Sequence, residues 1–298
     1  MGERTDRLLE KGWTNFHCHT NADYCCDPAM TPAFYAGLLD SGMRRAVLTD
    51  HGFIFYLASV DGVRQEVIWC GEFMENPEWF DRCREIGNRR IQDRIKEVKE
   101  LGDPNLFLGI ETDVMRDGRL THDPQFTDMF DLILCGPHFL PWVEKLETPE
   151  AREKAWLEYM EMLLDKPEVD VLSHPFRWIA TINNGQLSDG AVDCILRWVE
   201  SRGVALEFNG NKGHAEVPEA VEARVLRTAA DRGLPIVIST DGHKPDQIKD
   251  LTLVERRLSA AGITADDLNI PEVEDFIARK GRRNTASSRP ERRKLKDS

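Results

Sequence analysis

The sequence predicts an α/β barrel in which seven strand–helix units follow one another. Seven short apolar segments suit strands buried on both faces, as in a parallel sheet, and AVLT, LILC and PIVIS are examples. Helical patterns lie between them, and this repeated alternation is typical of barrel-like α/β domains. A third observation is that polar motifs rich in histidine follow most of the apolar segments. The predicted strands are residues 14–17, 45–49, 106–111, 131–135, 169–173, 204–208 and 235–239.

The helices between these strands are predicted from their caps and their amphipathic spacing. Thr31 is expected to cap a helix that begins at Pro32 and ends at Ser41-Gly42. Residues 82–101 form a long amphipathic pattern that stops at Gly102. Further helices are predicted for residues 148–164, 188–202, 218–232 and 245–261.

Residues 53–82 interrupt the alternation with a long segment that holds Trp69, Phe73, Trp79 and Phe80. Long insertions in compact domains are often functional. The segment is therefore predicted to be a lid or a wall of a pocket, and the alternative is an inert surface excursion.

The length allows one large domain or two small ones, and the hydrophobic share suits a soluble globular protein. We predict a single domain, residues 1–278, followed by a basic tail, residues 279–298. No apolar stretch approaches the ~20 residues that a membrane span needs, so no membrane partner is expected. The charged N-terminal residues lack the apolar core of a signal peptide, which favours the cytoplasm. Seven cysteines without a disulfide-scaffold spacing agree with that compartment. Nothing in the sequence sets the oligomeric state.

The net charge of −13 is divided unevenly between the domain and the tail. The tail holds nine Lys/Arg and two Asp/Glu, a net of +7, so residues 1–278 carry the difference, −20. Such an acidic body argues against binding of long nucleic acid. The tail is predicted to be a disordered, solvated extension, and the alternative is a tether to nucleic acid or to an acidic partner.

Six of the eight histidines lie in five short motifs at the ends of predicted strands. In α/β barrels, active sites assemble at the carboxyl ends of the strands. Histidines and carboxylates gathered at that face predict an enzyme with a site for several metal ions. The five histidine motifs are His17-Cys18-His19, Thr49-Asp50-His51, Gly136-Pro137-His138, Ser173-His174-Pro175 and Asp241-Gly242-His243. A sixth motif of the same kind, Gly109-Ile110-Glu111, supplies a carboxylate.

Spacing within the motifs indicates which side chains can share a metal. His17 and His19 are two residues apart on a strand, so their side chains point the same way and can chelate one ion. Asp241 and His243 repeat this geometry at the last strand. Glu111 has two oxygens and could bridge two metals about 3.5–4 Å apart.

Taken in order, HxH, TDH, the glutamate after the third strand, two single histidines and DGH resemble the PHP superfamily, named for polymerase and histidinol phosphatase. The resemblance covers residues 13–243. It implies a distorted (β/α)7 TIM-like barrel, a trinuclear metal site and hydrolysis of phosphoesters. The implied ligands are His17, His19, Glu111 and Asp241 for the first metal, Glu111, His138 and His174 for the second, and His51, His243 and a loop residue for the third.

The loop after HxH offers two residues as that last ligand. Asp27 lies four residues before the Thr31 cap, and its hard oxygen suits phosphoester hydrolysis, so Asp27 is preferred. Cys25 fits when the spacing is counted from His19. A thiolate there would be a softer ligand and would favour zinc.

The resemblance implies three divalent metal ions, and histidine-rich ligation suits Zn²⁺, Mn²⁺ or Fe²⁺ better than Mg²⁺. A metal-bound water held by Glu111, His17, His19 and Asp241 is the expected nucleophile. Arg177 is the preferred phosphate-binding residue because an arginine fork matches phosphate oxygens. Lys212 and Lys244 are further candidates, and each of the three could be an ordinary surface charge. Additional candidate site residues are Asp50, which could orient an imidazole or cap a turn, Asn209 and His214.

The leading hypothesis is therefore a metal-dependent phosphoesterase acting on a small phosphorylated metabolite or nucleotide, with a phosphomonoester preferred. A histidinol-phosphate phosphatase and a PHP nuclease or phosphodiesterase are its specific alternatives. An amidohydrolase-type deaminase also begins with HxH, but it usually carries a metal-bridging lysine that DLILCGPH lacks. A non-catalytic PHP module is disfavoured because the ligand set is complete and no polymerase domain follows.

Overall fold

Seven parallel strands, hydrogen bonded in chain order, form the central sheet of the part of the chain that the structure describes. The structure is a computed structural model that describes residues 12–39, 41–211 and 217–287. Backbone contacts between Cys18 and Gly242, and a hydrogen bond from Asp241 N to His17 O (3.2 Å), join the last strand to the first. The predicted seven-stranded α/β barrel is thereby confirmed. The strands are β1 Trp13–Cys18, β2 Met43–Leu48, β3 Leu106–Thr112, β4 Leu132–Cys135, β5 Val171–Leu172, β6 Ala205–Asn209 and β7 Ile236–Ser239.

Helices surround this barrel. They are α1 Pro32–Ala36, α2 Gly52–Leu57, α3 Gln65–Trp69, α4 Glu72–Glu75, α5 Glu78–Leu101, α6 Pro141–Glu144, α7 Pro149–Leu164, α8 Arg177–Ile182, α9 Asp189–Arg202, α10 Glu219–Arg232, α11 Thr252–Ala261 and α12 Val273–Ser287. No helix among the described residues is both long and apolar enough to cross a membrane.

Two helices are clearly shorter than predicted. The first, α1, does begin after the Thr31 cap, whose hydroxyl accepts from Phe34 N, but it ends at Ala36 rather than at residues 41–42. The pattern at residues 245–261 yields a 3-10 turn, Pro245–Gln247, and a helix that begins only at Thr252. The backbone turns between them, and Asp250 Oδ1 accepts from Thr252 N (3.1 Å).

The last helix, α12, crosses the boundary that was predicted at residue 279 between domain and tail. Apolar residues anchor it, because Val273 and Phe276 pack into the interior of the barrel. The Phe276 ring meets the Phe16 ring edge-on, with centroids 6.1 Å apart. Residues 279–287 are thus helical rather than disordered. The rest of the predicted tail, residues 288–298, lies outside the described residues.

A compact apolar cluster fills the barrel and supports the polar side chains above it. Its buried members are Phe16, Val47, Leu132, Leu134, Val171, Ala205, Val237, Val273 and Phe276. Because side chains alternate along a strand, Glu207 and Asn209 face the same side of β6 as Ala205 does. The same reasoning places Asp241 above Val237 on β7. The interior therefore changes from apolar to polar towards the carboxyl ends of the strands.

A bulge in β1 shapes this polar end. Asn15 pairs with Ala46 and Cys18 with Leu48, so β1 contains one residue more than β2 over that stretch. Such a bulge breaks the strict alternation of a strand and re-aims side chains. Consequently, Phe16 can pack into the apolar interior while the neighbouring His17 also points inward, where it hydrogen bonds Glu207.

Candidate metal centre

The predicted ligands from six strand ends meet above the apolar interior, and most of them are buried. The backbone is strained at two of them, since His174 (φ 25°) and Asp241 (φ 46°) both adopt positive φ angles. Strain of this kind persists only where surrounding contacts fix the residue, and it is common at functional sites. Gly136 allows β4 and β5 to approach closely here, because a Cβ would lie 2.3 Å from Ser173 Oγ.

Glu111, at the end of β3, lies at the centre of this cluster. Its Oε1 atom is 2.8 Å from His174 Nε2 and 3.2 Å from His138 Nε2. Its Oε2 atom is 3.1 Å from His17 Nε2 and 2.8 Å from His51 Nδ1. Each oxygen therefore faces a different group of imidazoles, which is the arrangement that a bridging carboxylate needs.

Three further carboxylates bind the outer nitrogens of these imidazoles. Glu207 lies 2.7 Å from His17 Nδ1, Asp23 lies 2.6 Å from His19 Nδ1, and Asp113 lies 3.1 Å from His138 Nδ1. An ionised carboxylate only accepts hydrogen bonds, so each Nδ1 carries the proton. When such a ring is neutral, as a metal ligand must be, its inner Nε2 atom presents a free lone pair, as in the carboxylate–histidine pairs of metal sites.

These lone pairs converge without satisfying one another. The Nε2 atoms of His17 and His19 are 2.9 Å apart, although both Nδ1 protons are already donated to carboxylates. His51 Nδ1 and Glu111 Oε2 are buried and 2.8 Å apart, yet neither forms a hydrogen bond among the described residues. Bound cations would satisfy facing ligand atoms of this kind, so the residues fit a metal cluster.

The electrostatics of the cluster agree with that fit. Burial would raise the pKa of Glu111, but the imidazoles of His138, His17 and His51 hold it well below its usual range. Burial would lower the pKa of His138, but the Asp113 and Glu111 carboxylates raise it to about 9. Burial and Arg177 lower the pKa of His174 to about 4. The carboxylates thus stabilise added positive charge, and His174 stays neutral as a metal ligand must.

Asp241 completes the first ligand group that the sequence predicted. Its Oδ1 atom lies 3.0 Å from His19 Nε2 and 3.8 Å from His17 Nε2. Its Oδ2 atom accepts from Arg177 (2.7 Å) and from Asn209 Nδ2 (3.1 Å). Arg177 and Asn209, both predicted site residues, therefore lie at the edge of the cluster.

The third predicted group is brought together only in part. The His243 ring lies 4.5 Å from the His19 ring and 6.2 Å from the His51 ring. The preferred loop ligand, Asp27, is exposed, and its Oδ1 accepts from Ala29 N (2.9 Å), which turns it away from the cluster. The alternative, Cys25, lies beside His243 and His51.

The remaining predicted site residues behave differently. Asp50 neither orients an imidazole nor caps the next helix; it accepts from Thr20 N (2.5 Å) and Thr20 Oγ1 (2.8 Å) and fixes the loop after β1. Lys244 is exposed at the start of a 3-10 turn. Lys212 and His214 lie outside the described residues.

The sequence interpretation missed the three carboxylates that orient the imidazoles. Two of them carried a usable signal. Asp113 follows Glu111 by two residues, and Glu207 precedes the candidate Asn209 by two, so strand periodicity would have placed both on the site face. Asp23 lies in a loop, where no periodicity indicates a direction.

The insertion predicted at residues 53–82 lies beside the metal centre. The Phe53 ring stacks on the His51 ring with centroids 4.9 Å apart, and Phe73 stacks behind Phe53 at 5.1 Å. Trp69 and Tyr24, both well exposed, meet edge-on at 5.2 Å. Tyr24 directly precedes Cys25. The insertion therefore contacts both the candidate ligand His51 and the loop after HxH.

Comparisons with known proteins agree with the motifs. The chain is 22% identical over 198 residues to the DNA polymerase/3'-5' exonuclease PolX of Bacillus subtilis (strain 168), a match that covers 64% of this chain but only 32% of that protein. It is 24% identical over 269 residues to a Deinococcus radiodurans protein named "Probable histidinol-phosphatase", covering 80% of this chain and 88% of the relative. No family model matches the chain.

The fold has a solved counterpart. The crystal structure of histidinol phosphate phosphatase from Lactococcus lactis subsp. lactis, complexed with zinc, L-histidinol and phosphate, matches with a TM-score of 0.50. The match covers 84% of this chain and 94% of the phosphatase at 14% sequence identity. These relatives and this neighbour are PHP superfamily proteins, so the resemblance predicted from the motifs is confirmed.

Proposed function

We propose that this PHP-like chain is a metal-dependent phosphoesterase that hydrolyses a small phosphorylated metabolite or nucleotide, with a phosphomonoester as its main substrate. One observation carries the proposal. The Nε2 lone pairs of His17, His19 and His138 are fixed by carboxylates on their outer nitrogens and converge on the two oxygens of Glu111. A centre of this kind serves to hold two or more cations around one reacting group.

Three ligand groups would hold the metals. Glu111 belongs to the first two, with His17, His19 and Asp241 on one side and with His138 and His174 on the other. His51 and His243 would form the third together with the loop after HxH. When bound, divalent cations of the Zn²⁺, Mn²⁺ or Fe²⁺ type supply Lewis acidity, which activates water and neutralises phosphoryl charge.

The chain's own residues would orient the phosphate. The Arg177 guanidinium donates to Asp241 at the edge of the cluster. A phosphoryl group bound by the metals would therefore lie close enough to accept from Arg177. An arginine fork binds phosphate oxygens in two parallel hydrogen bonds. Asn209 Nδ2 donates to the same carboxylate and provides a neutral hydrogen-bond donor beside Arg177. Both residues hold the phosphate still while it is attacked.

A small cavity of about 50 Å³ adjoins this edge. His174, Arg177 and Asn209 border it on the cluster side. Phe208 and Leu253 are among its apolar lining residues. We expect part of a small organic leaving group to lie against this apolar surface.

The finer alternatives differ in their leaving groups. A named histidinol-phosphatase relative and a neighbour that binds L-histidinol and phosphate favour histidinol phosphate as the first compound to test. The PolX relative, a 3'-5' exonuclease, makes short oligonucleotides the second. The acidic body of the chain, with a net charge of −20 over residues 1–278, disfavours the oligonucleotides.

A substrate screen tests the proposal. The purified protein would be stripped of metal, reloaded with Zn²⁺, Mn²⁺ or Fe²⁺, and assayed for phosphate release from an aryl phosphate, histidinol phosphate, nucleoside monophosphates and short oligonucleotides. We expect turnover of at least one monoester that depends on added metal. Release of ammonia from amine substrates with no phosphate release from any ester would contradict the proposal.

A further inference from the structure

The loop between HxH and α1 carries two adjacent cysteines to the mouth of the metal centre. The sulfur atoms of Cys25 and Cys26 and a ring nitrogen of His243 all lie within 4.8 Å of one another. The Cys25 sulfur also lies within 4.8 Å of a ring nitrogen of His51 and an oxygen of Asp23. Cys25 therefore belongs to two groups of candidate ligands. One group contains His243 and the other contains His51, and these are the two histidines of the third predicted group.

We propose that the thiolate of Cys25 joins His51 and His243 as a ligand of the third metal, which makes this position selective for a soft divalent cation such as Zn²⁺. The inference rests on the proposed function only in that both need metal ions at this cluster. It replaces the oxygen ligand expected from Asp27 by sulfur.

The other residues of the loop fit this role less well. Asp27 is exposed and caps the turn through Ala29 N, so its carboxylate is already engaged. Cys26 is more deeply buried than Cys25, and it shares a group with Cys25 and His243. Asp23 already holds the outer nitrogen of His19 (2.6 Å) and accepts from His51 N (3.1 Å). Cys25 is left as the loop residue that faces both histidines.

The backbone holds the thiol in this position. Asp27 N donates to His243 O (3.0 Å), which ties the loop directly to the segment after β7. Cys26 N donates to Asp23 O (2.9 Å) and Met30 N to Asp27 O (3.0 Å), so successive turns flank Cys25. Tyr35, on α1, donates to His19 O (2.6 Å) and fixes the start of the loop. A ligand whose place is set before binding loses little freedom on binding.

Sulfur in the ligand set has a chemical consequence. Thiolates favour Zn²⁺ and other soft ions, whereas the oxygens of Glu111 and Asp241 tolerate Mn²⁺ equally well. The first two groups contain carboxylate and imidazole only. The three positions should therefore differ in selectivity, with the third retaining Zn²⁺ when Mn²⁺ is in excess.

Cobalt spectroscopy reports this ligand without any turnover. The full-length protein would be stripped with a chelator under reducing conditions and titrated with Co²⁺ in the absence of oxygen. We expect a thiolate-to-cobalt charge-transfer band in the near ultraviolet, which a Cys25→Ser variant lacks. Cys26→Ser is the matched control, because it removes a thiol from the adjacent position, and it should keep the band. Far-ultraviolet circular dichroism would check that each variant is folded.

Three results would overturn the assignment. The first is the absence of the band in the wild-type protein. The second is a band that persists in both variants. The third is a band that is lost in Cys26→Ser and persists in Cys25→Ser, which would assign the ligand to Cys26. A wild-type band without phosphate release from any ester would leave the thiolate ligand standing and would contradict the proposed function. The two proposals therefore fail separately.

A Cys25→Asp variant provides a second readout of the same site. Replacing sulfur by a hard oxygen should shift the preference of the third position from Zn²⁺ towards Mn²⁺. Metal analysis after dialysis against an equimolar mixture should show about one equivalent of Zn²⁺ exchanged for Mn²⁺ relative to the wild type, which is the single ion that this position would hold. An unchanged metal ratio in a folded variant would contradict the assignment.

Discussion

At the scale of single residues, the metal centre depends on side chains that would touch no metal. Glu207, Asp23 and Asp113 each fix the tautomer of one imidazole, and a fixed tautomer presents the free lone pair to the cluster. The Glu207 carboxylate also accepts from His174 N (2.7 Å), so one buried residue orients parts of two ligand groups. These contacts make the geometry of the ligands a property of the folded chain.

We expect Glu207→Gln to weaken metal binding by about 10- to 100-fold, because a neutral amide no longer increases the basicity of His17. Competition with a chromophoric chelator would measure the affinity. Glu100→Gln, which changes an exposed carboxylate on α5, is the matched control and should leave affinity unchanged. Equal affinity of Glu207→Gln and the wild type would show that the carboxylate does not support the ligand.

His122 provides a residue-scale prediction that does not involve the metals. It is buried between Thr112 Oγ1 and Thr127 Oγ1, 3.2 Å from each, and burial lowers its pKa to about 4. In the unfolded chain the same group titrates near 6.5, so the unfolded state gains a proton first as the pH falls. Stability linked to His122 is therefore present above pH 6.5 and is lost as the pH drops towards 4.

Replacing His122 by Gln should remove this dependence. Between pH 7 and pH 4 the wild type would lose on the order of 3 kcal/mol more of its free energy of unfolding than His122→Gln does. Urea unfolding of chelator-treated proteins at several pH values would measure the difference, since metal release is then absent from both. Parallel curves for the two proteins would show that His122 is not held neutral by burial.

At the scale of secondary-structure elements, two segments outside the strand–helix units deserve separate tests. The insertion α2–α4 contacts the metal centre through Phe53, and Trp69 meets Tyr24 at the rim. We propose that it forms a wall of the substrate cleft. Helix α12 closes the opposite end of the barrel, where Val273 and Phe276 cover the apolar interior.

Trp69→Ala tests the wall. Loss of an aromatic surface at the rim should raise KM for an aryl phosphate about fivefold, equivalent to about 1 kcal/mol, with little change in kcat. Ile86→Ala, an exposed apolar residue on α5, is the control. A fall in kcat with KM unchanged would indicate that the insertion acts on the metals instead of on the substrate.

Phe276→Ala tests the closure of the barrel. The ring is buried against Phe16, so its removal should cost about 3–5 kcal/mol of the free energy of unfolding. Ile277→Ala, next to it on the exposed face of the same helix, should cost less than about 0.5 kcal/mol. Urea denaturation would compare them. Similar losses for both variants would show that α12 does not pack into the interior as described.

At the scale of the whole molecule, the barrel could be predicted from the sequence because its signals are local and repeated. Apolar runs located all seven strands, and the polar motifs that follow six of them gathered the ligands at one end of the sheet. The far end could not be predicted in this way. Val273 and Phe276 are two apolar residues in a polar segment, and only the assembled barrel supplies the surface that they cover.

The same contrast holds within the candidate site. His17, His19, Glu111 and Asp241 lie at or just beyond strand ends, where chain position determines direction. In the loop after HxH, position in the chain does not determine the direction of a side chain. Its turns, closed by backbone hydrogen bonds such as Asp27 N to His243 O, decide that Cys25 faces the histidines and that Asp27 faces solvent. Spacing alone therefore could not decide between the two residues.

The central claim is that Glu111 joins metal groups which hydrolyse a phosphate ester. The most direct measurement is metal-dependent phosphate release from an aryl phosphate by the wild type and by Glu111→Gln, with bound metal determined in both. The wild type should be inactive after chelation and recover when metal is added, whereas Glu111→Gln should lose metal and be slower by on the order of 100-fold or more. Equal phosphate release by the two proteins, or release by the wild type that survives chelation, would contradict the account.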